Sequence, residues 1–417
     1  MTQNCVAGCM LSGVLSVVLA GGIASSACGQ ESATQRQRLT ISAALDLATR
    51  QNLELIAARA QRAVALAGIR AAGERPNPTL TFGATRDTPH ESTFVDLPVE
   101  VGGKRGRRIE LAKQQAALTD VNITATERLV RLEVRNAYYG LAFARGGTAE
   151  RADVLKLGER LREIAKARFE AGDIPQLEVT QADLEVARES ADLQVAQQEE
   201  KVALSDLNAL LNEPATLDWD LGDAFGAAPP ALTLEELLAR SGASSTEIAK
   251  INQEQKVQQS QTALFRAQRL PNVGLQFGAD FNSPHDFQLG ARGQISVELP
   301  LLNRFQGEIA ESTAAEQALE RELAATRRSV GRKVEAAYYD LEARIFQAQL
   351  YRDTLLPASR KLEEMAEESY GSGKANILTV LTAQREVQQV DREYLDSVHA
   401  VQAAFAQLEE AVGVPLD

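Results

Sequence analysis

The feature that most constrains the fold is an internal duplication with an offset of about 200 residues. The string AYYGL at residues 137–141 returns as AYYDL at residues 337–341. Upstream, PNPTLTFGA at residues 76–84 returns as PNVGLQFGA at residues 271–279. Two copies in the same order indicate that one structural unit of about 180 residues was duplicated in tandem. Whatever fold the first half adopts, the second half is expected to adopt as well.

The duplication also sets the domain boundaries. A Leu-Thr pair opens each half, and a proline closes each half. The sequence therefore predicts a first repeat over residues 39–214, a linker over residues 215–231 and a second repeat over residues 232–416.

Composition narrows the class of protein. The chain is 44% hydrophobic, 24% charged and only 5% aromatic. It is too apolar for a disordered chain, and it is poor in the large residues that fill globular cores. Long helices packed through Ala and Leu fit this composition better. The net charge of −13 argues against a nucleic-acid partner, which requires a basic face. It suits a surface or conduit that attracts cations, and a solvated acidic face is equally compatible with it.

The first 28 residues have the composition of an export signal. They hold all three cysteines and no Asp, Glu, Lys or Arg, and residues 11–24 form an apolar run that ends in small residues. We predict a signal peptide over residues 1–28. Lipidation of Cys28 and plain cleavage both stay open. No later segment offers the 18 consecutive apolar residues of a transmembrane helix, so strands are the remaining means of crossing a membrane.

Each repeat contains two short segments that favour strands. They cover residues 79–87 and 92–101 in the first half, and residues 273–282 and 287–299 in the second. Closed barrels need about eight strands, so four strands per chain cannot close one. A barrel would require several copies of the chain.

The remainder of each repeat is predicted to be helical. No proline occurs from Lys104 to Ala171, and the apolar residues there follow helical spacing. A helix of this length is roughly 100 Å long. A turn and a return helix to Asn212 follow, and the second half repeats this plan from Gln306 to Ser372 and then towards Gly413. Glycines near residue 146 predict a break or a change of partner in the first rod.

These features resemble the TolC-like outer-membrane factors, the exit ducts of tripartite efflux and secretion systems. The resemblance covers residues 39–416 and rests on the duplicated helix-strand-strand-helix unit together with the paired turns RFEAG at residues 168–172 and YGSG at residues 370–373. The segment LPVEVGGKR at residues 97–105 is similar to the branch that serves heavy-metal exporters of the resistance-nodulation-division (RND) class.

The resemblance implies a mainly α fold with a small β part and a homotrimer. Three chains would form a 12-stranded β-barrel in the lipid of the outer membrane and a long periplasmic α-helical barrel. The implied partners are a periplasmic adaptor (membrane fusion protein) and an inner-membrane RND pump. The duct would conduct divalent cations of the cobalt, nickel, zinc and cadmium class. Export of organic toxicants or a polypeptide, and a periplasmic coiled-coil protein without a duct, remain alternatives.

The resemblance also implies where the adaptor docks. In the family, the turns between the long helices carry these contacts, and a C-cap role of the two glycines is compatible with docking. The corresponding residues are Arg168, Phe169, Gly172, Asp173, Ile174, Pro175 and Leu177 on the first turn and Tyr370, Gly373, Lys374, Ala375, Asn376 and Leu378 on the second.

Enzyme chemistry finds little support in the sequence. The chain has three histidines, no cysteine cluster and no phosphate-binding loop, so we predict no catalytic residue, no cofactor and no firm metal site. His90 and His285 occupy equivalent turns, each beside an acidic residue. A weak metal site at this position and an inherited turn sequence are both compatible with the pattern.

Overall fold

The computed structural model describes residues 37–222, 232–283 and 287–416. The predicted signal peptide with Cys28, the last part of the predicted linker and His285 therefore lie outside the described residues. Among the residues described, no helix is both long enough and apolar enough to pass through a membrane.

The two repeats have the same order of long elements: two helices, two strands, a long helix and a return helix. The first half contains β1 (Gln37–Leu39), α1 (Ile41–Gln51), α2 (Leu53–Ala72), β2 (Thr79–Ala84), β3 (Glu91–Val99), α3 (Lys104–Glu170) and α4 (Gln176–Leu211). The second contains β4 (Trp219–Leu221), α5 (Leu234–Ser244), α6 (Thr246–Gln268), β5 (Asn272–Ser283), β6 (Phe287–Glu298), α7 (Gln306–Leu350), α8 (Leu356–Gly371) and α9 (Ile377–Val412). The predicted fold class, mainly α with a small β part, is confirmed.

The Leu-Thr pair that opens each repeat marks a helix start. The Thr40 hydroxyl accepts a hydrogen bond from the Ala43 amide and caps α1. The Thr233 hydroxyl accepts from Glu236 in a capping box at the start of α5. Such caps stabilise a helix by about 1 kcal/mol, which gives a physical reason for the same residue in both copies.

The first rod is one helix without a break. The 67 residues of α3 run straight through the glycines near residue 146, so the predicted break is wrong. Two glycines cost about 1 kcal/mol each in a helix. Contacts to α4 and to the segment after it offset this cost, because Arg145 pairs with Glu200 at 3.2 Å and also with Asp218.

The second rod is interrupted, although its sequence predicted one helix from Gln306 to Ser372. A π-helical turn over Tyr351–Leu355 separates α7 from α8, and Pro357 lies immediately after it. A proline has no amide hydrogen and its ring clashes with the carbonyl one turn earlier. The wider π turn accommodates this clash without ending the rod.

Four of the strands form an antiparallel sheet in the order β2-β3-β5-β6, and β1 pairs separately with β4 in parallel. The hairpin of each repeat is joined to the other through β3 and β5, where Val95 pairs with Phe277 and Val99 with Val273. Strands β2 and β6 lie at the edges and have no neighbour within the described chain.

Equivalent hydrophobic cores fill the two repeats beside the long helices. In the first, Tyr138 is fully buried and its hydroxyl donates to the Leu39 carbonyl at 3.0 Å. Trp219 is buried in the same core, so the first residues of the predicted linker are packed and pair with β1. The repeats have diverged at the second tyrosine, because Tyr139 is buried whereas Tyr339 is 59% exposed.

Candidate functional site

The four-stranded sheet has one apolar face that no other part of the described chain covers. Pairing places alternate residues of all four strands on this face, including Leu80 opposite Val95 and Leu275 opposite Ile295. Phe82 is 73% and Ile295 70% exposed. A soluble protein rarely leaves a continuous apolar patch of this size uncovered, so the face indicates contact with another surface or with lipid.

The opposite face of the sheet is polar. Gln276 donates to Asp96 at 2.9 Å, and Arg292 lies over the Phe94 ring at 5.3 Å and 3.7 Å from Asp280. The register between the strands brings their polar residues to this face and their apolar residues to the other. A sheet that is apolar on one face and polar on the other can separate lipid from water.

The two helix-turn-helix tips have the same backbone geometry. Gly172 and Gly373 adopt φ values of 81° and 72°, where a glycine avoids the strain that other residues incur. The Asp173 amide donates to the Arg168 carbonyl at 2.9 Å, and the Lys374 amide donates to the Ser369 carbonyl at the same distance. Both tips are therefore compact reversals that end α3 and α8 and start α4 and α9.

A shared core holds the tips together. Ile174 and Tyr370 are buried in a cluster with Leu161 and Leu381. The Arg168 guanidinium lies 4.8 Å from the centre of the Tyr370 ring and holds it. Burial raises the pKa of the Tyr370 hydroxyl, and Arg168 acts in the opposite direction. Two of the residues predicted to contact an adaptor, Ile174 and Tyr370, thus lie inside the tip, because each faces the neighbouring helices.

The other predicted tip residues reach the surface to different degrees. Arg168 and Ala375 are half-buried. Leu177 is 65% exposed and Leu378 52%, although both are apolar. The exposed residues are Phe169, Gly172, Asp173, Pro175, Leu177, Gly373, Lys374, Asn376 and Leu378. The exposed residues of the two turns therefore include apolar side chains as well as polar and charged ones.

Comparison with known proteins decides the family. The sequence profile of the outer membrane efflux protein family matches residues 44–213 and 237–414, which is most of the chain and both repeats.

The chain belongs to the outer membrane efflux protein family.

Individual relatives agree with this assignment. The sequence is 26% identical over 380 residues to the cobalt-zinc-cadmium resistance protein CzcC of Cupriavidus metallidurans, covering 90% of each chain. The fold is similar to a crystal structure of CusC, with a TM-score of 0.75, 16% identity and coverage of 90% and 92%. It is also similar to the outer membrane protein VceC from Vibrio cholerae, with a TM-score of 0.73, 15% identity and coverage of 90% and 97%.

Family membership bears on one of the alternative functions and on the prediction that the protein is not an enzyme. A coiled-coil protein without a duct is not supported, because the chain carries the four-stranded sheet as well as the family's sequence pattern. The prediction that the protein is not an enzyme agrees with a family of efflux proteins.

In this outer membrane efflux protein the Gly-Gly-Lys-Arg segment joins sheet to helices. Gly102 and Gly103 have φ values of 74° and 73°, and a side chain at Gly102 would collide with Leu270. Lys104 is buried and donates to the Leu270 carbonyl at 2.7 Å. Arg105 donates to the Gly73 carbonyl at 2.5 Å. These cations bind free carbonyls at the ends of α6 and α2, where the helix dipole favours them.

Polar contacts that the sequence did not predict join the return helices α4 and α9. Arg385 binds Glu185 through two nitrogens, with a shortest distance of 2.9 Å. One turn further, Gln388 donates to Glu189 at 3.1 Å. The paired residues come from the two repeats, near the duplication offset. No sequence signal reveals which charged residues of a long amphipathic helix face a neighbour.

Carboxylates on the neighbouring helices are partly desolvated. Burial raises the pKa of Glu150, Glu189 and Asp391, which lie on α3, α4 and α9. Arg151 and Arg392 partly offset the effect at Glu150, while Glu185 and Asp192 add to it at Glu189.

We expect the Glu189 carboxyl to favour the folded state increasingly as the pH falls from neutral. A raised carboxyl pKa means that the folded chain holds protons more tightly than the unfolded chain. The stabilisation therefore grows as the pH falls through the raised values and is complete below the ordinary value of 4.5. Glu189→Gln removes one such carboxyl while keeping its hydrogen-bonding shape.

Thermal unfolding from pH 7 towards pH 5 tests this. The Tm of the parent is expected to rise relative to that of Glu189→Gln as the pH falls, since the variant lacks the titrating group. Exposed Glu320→Gln serves as the control and should keep the parent's profile. Parallel profiles of the parent and Glu189→Gln would contradict a desolvated carboxylate.

The described residues give the histidine site no support. His90 is half-buried, and its Nδ1 lies 3.4 Å from the Thr85 carbonyl. No group of three or more potential metal ligands occurs among His, Cys, Asp and Glu in the described residues. His285 lies outside them, so pairing of the two histidines stays a prediction.

Proposed function

We propose that this outer membrane efflux protein is the passive exit duct of a tripartite RND-type system and that it conducts divalent heavy-metal cations. The main support for a duct is the sheet, which is apolar on one face and polar on the other. It is attached to long helices, of which α3 is about 100 Å long. The metal class is supported by the 26% identity, over nine-tenths of the chain, to a cobalt-zinc-cadmium resistance protein.

A homotrimer explains the open edges of the sheet. Strands β2 and β6 are the edges of a four-stranded sheet. Uncovered edges present free amide and carbonyl groups, which lipid cannot satisfy. When β2 of one copy pairs with β6 of the next, three copies form one closed sheet of twelve strands. Its apolar face then contacts lipid and its polar face surrounds water.

Apolar stripes on the helices support the same assembly. On α4, Leu184, Val195 and Val202 share one helix face and are 52%, 57% and 60% exposed. On α7, Tyr339 and Phe346 lie two turns apart and are 59% and 68% exposed. Two different faces that bind each other produce a head-to-tail contact, which closes into a ring when the rotation fits.

The proposed duct performs no chemistry. The chain's formal charge of −13 favours cations near its surface, and the energy for transport comes from the inner-membrane pump. A periplasmic adaptor connects the pump to the tips. Leu177 and Leu378 support docking through the exposed surface of the two turns. Burial of these exposed leucines against a partner would stabilise the complex.

Leu177→Asp is expected to abolish metal resistance without loss of trimers. Leu177 is the second residue of α4 and is 65% exposed, and an acidic residue there suits the helix N-terminus. A carboxylate inside an apolar contact costs about 2 kcal/mol or more, so adaptor docking should weaken at least tenfold. Growth on zinc or cobalt and cross-linking to the adaptor measure the effect.

Leu53→Asp is the matched control for this variant. Leu53 is the first residue of α2 and is 63% exposed, and the adjacent Asn52 binds the Leu210 carbonyl at the end of α4 opposite the tip. It should retain resistance and cross-linking. Full metal resistance of Leu177→Asp, equal to that of Leu53→Asp, would contradict docking at this surface. Loss of trimers in Leu177→Asp would show that Leu177 contributes to assembly instead.

A further inference from the structure

The end of the sheet that joins the helices carries a concentration of positive charge. We call this region the strand-helix rim and define it as residues 70–79, 99–108, 266–272 and 298–305. It holds nine arginines and lysines against three glutamates, whereas the whole chain holds 44 against 57. The rim is therefore basic in a chain that is acidic overall.

Pairing and side-chain contacts bring the four rim segments together. Val99 pairs with Val273, and Asn272 pairs with Glu298, at the same end of the sheet. Arg108 donates to the Ala72 carbonyl at 3.2 Å and to the Glu74 carbonyl at 2.9 Å. The rim is thus one continuous region.

Structural roles account for only part of this charge. Lys104, Arg105 and Arg108 bind the ends of α2 and α6. The other six cations are exposed and form no ion pair with another described residue: Arg70, Arg75, Arg107, Arg266, Arg269 and Arg304. Their guanidinium groups are available to an external anion.

Exposed leucines lie among these arginines. Leu299, Leu301 and Leu302 are 61%, 66% and 94% exposed. These leucines follow the apolar-face residues Ile295 and Val297 of β6, at the point where the chain leaves the strand and turns, with the Leu301 amide donating to the Leu299 carbonyl at 2.8 Å. An open cleft of about 660 Å³ lies beneath, lined by Lys104, Gln268, Leu270 and Phe305 among others.

We propose that the strand-helix rim binds the headgroups of acidic phospholipids at the leaflet nearest the helices. Arginine binds phosphate oxygens with two nitrogens, and long basic side chains extend from an apolar level to the headgroup level. The leucines would enter the acyl layer beside them. A free phosphate ion would use the arginines but would leave these leucines uncovered. The inference rests on the proposed function in one respect, that the sheet lies in a membrane.

The test compares lipid enrichment around three full-length proteins. Each is reconstituted into nanodiscs of phosphatidylcholine with a minor share of phosphatidylglycerol, and retained lipids are counted by native mass spectrometry. The rim variant is Arg107→Gln, Arg269→Gln and Arg304→Gln. The matched control is Arg321→Gln, Arg327→Gln and Arg328→Gln, which removes three exposed charges at least about 22 Å along α7 from its start.

We expect the parent and the control to enrich phosphatidylglycerol about tenfold over its share of the mixture, and the rim variant to show no enrichment. Equal enrichment by the rim variant and the parent would overturn the proposal. Loss of enrichment in millimolar inorganic phosphate, but not in a chloride salt of equal ionic strength, would also overturn it in favour of a free-anion site.

Failure of the proposed function has a different signature. A parent protein that enters no nanodisc, whatever the lipid, would contradict a membrane-spanning sheet and the lipid site with it. A parent that inserts as a trimer but shows no preference for phosphatidylglycerol would contradict the lipid site alone.

Discussion

Gly278→Val is expected to prevent assembly in the membrane and to remove metal resistance. Gly278 lies in β5 opposite Phe94, and a Cβ atom there would overlap the Thr93 carbonyl and the Phe94 ring. The backbone oxygen cannot move without breaking the β3–β5 pairing that joins the two repeats. Overpacking costs about 1–3 kcal/mol per site, and a trimer carries the change three times. Trimers that resist detergent without heating, counted in outer-membrane fractions, measure the effect.

Gly293→Val is the matched control. Gly293 lies in β6 opposite Phe277, and a Cβ atom there would meet nothing within 4 Å. Valine favours strands and would project from the apolar face, so trimers and resistance should persist. Normal trimer yield from Gly278→Val would show that the sheet packs differently from the arrangement described.

Arg135→Ala is expected to lower the free energy of unfolding by about 3–5 kcal/mol, the largest stability effect of any substitution considered. The Arg135 side chain is 5% exposed and pairs with Glu409 at 2.9 Å. It also lies over the Phe405 ring at 5.1 Å. The contact links α3 of the first repeat to α9 of the second, and removal of the cation leaves a buried carboxylate without this partner. Denaturant unfolding of the solubilised protein measures the loss.

Lys156→Ala provides the comparison. Lys156 pairs with Asp153 at 2.9 Å, but both side chains are more than 70% exposed. Exposed ion pairs contribute about 0–1 kcal/mol, so Lys156→Ala should change the free energy of unfolding very little. Similar losses from Arg135→Ala and Lys156→Ala would show that burial of the Arg135 pair contributes nothing.

Much of the architecture could be predicted from the sequence because the duplication allows each element to be recognised twice. The strands were located to within a few residues, and both tips were found from a glycine that ends one long helix and begins a reversal. Gly172 and Gly373 do adopt positive φ. Local chemistry determines these features, so they can be read without knowing the neighbours.

The features that the sequence could not predict depend on which helices pack against each residue in the folded chain. Helical spacing shows that Ile174 and Tyr370 lie near a turn, but their burial follows from which helices surround them. The glycines near residue 146 predicted a break because the contacts of Arg145 with α4 were unknown. The π turn before Pro357 is one of several ways in which a rod can accommodate a proline.

The proposed conduction of divalent heavy metals is tested by the growth of a deletion strain. The strain, with and without the complementing gene, is grown on cobalt, nickel, zinc, cadmium, copper and silver salts and on dyes, detergents and antibiotics. We expect the deletion strain to be sensitive to cobalt, nickel, zinc or cadmium, the complementing gene to restore tolerance, and growth on organic compounds to change little. Sensitivity confined to the organic compounds would contradict the metal assignment while leaving the duct in place.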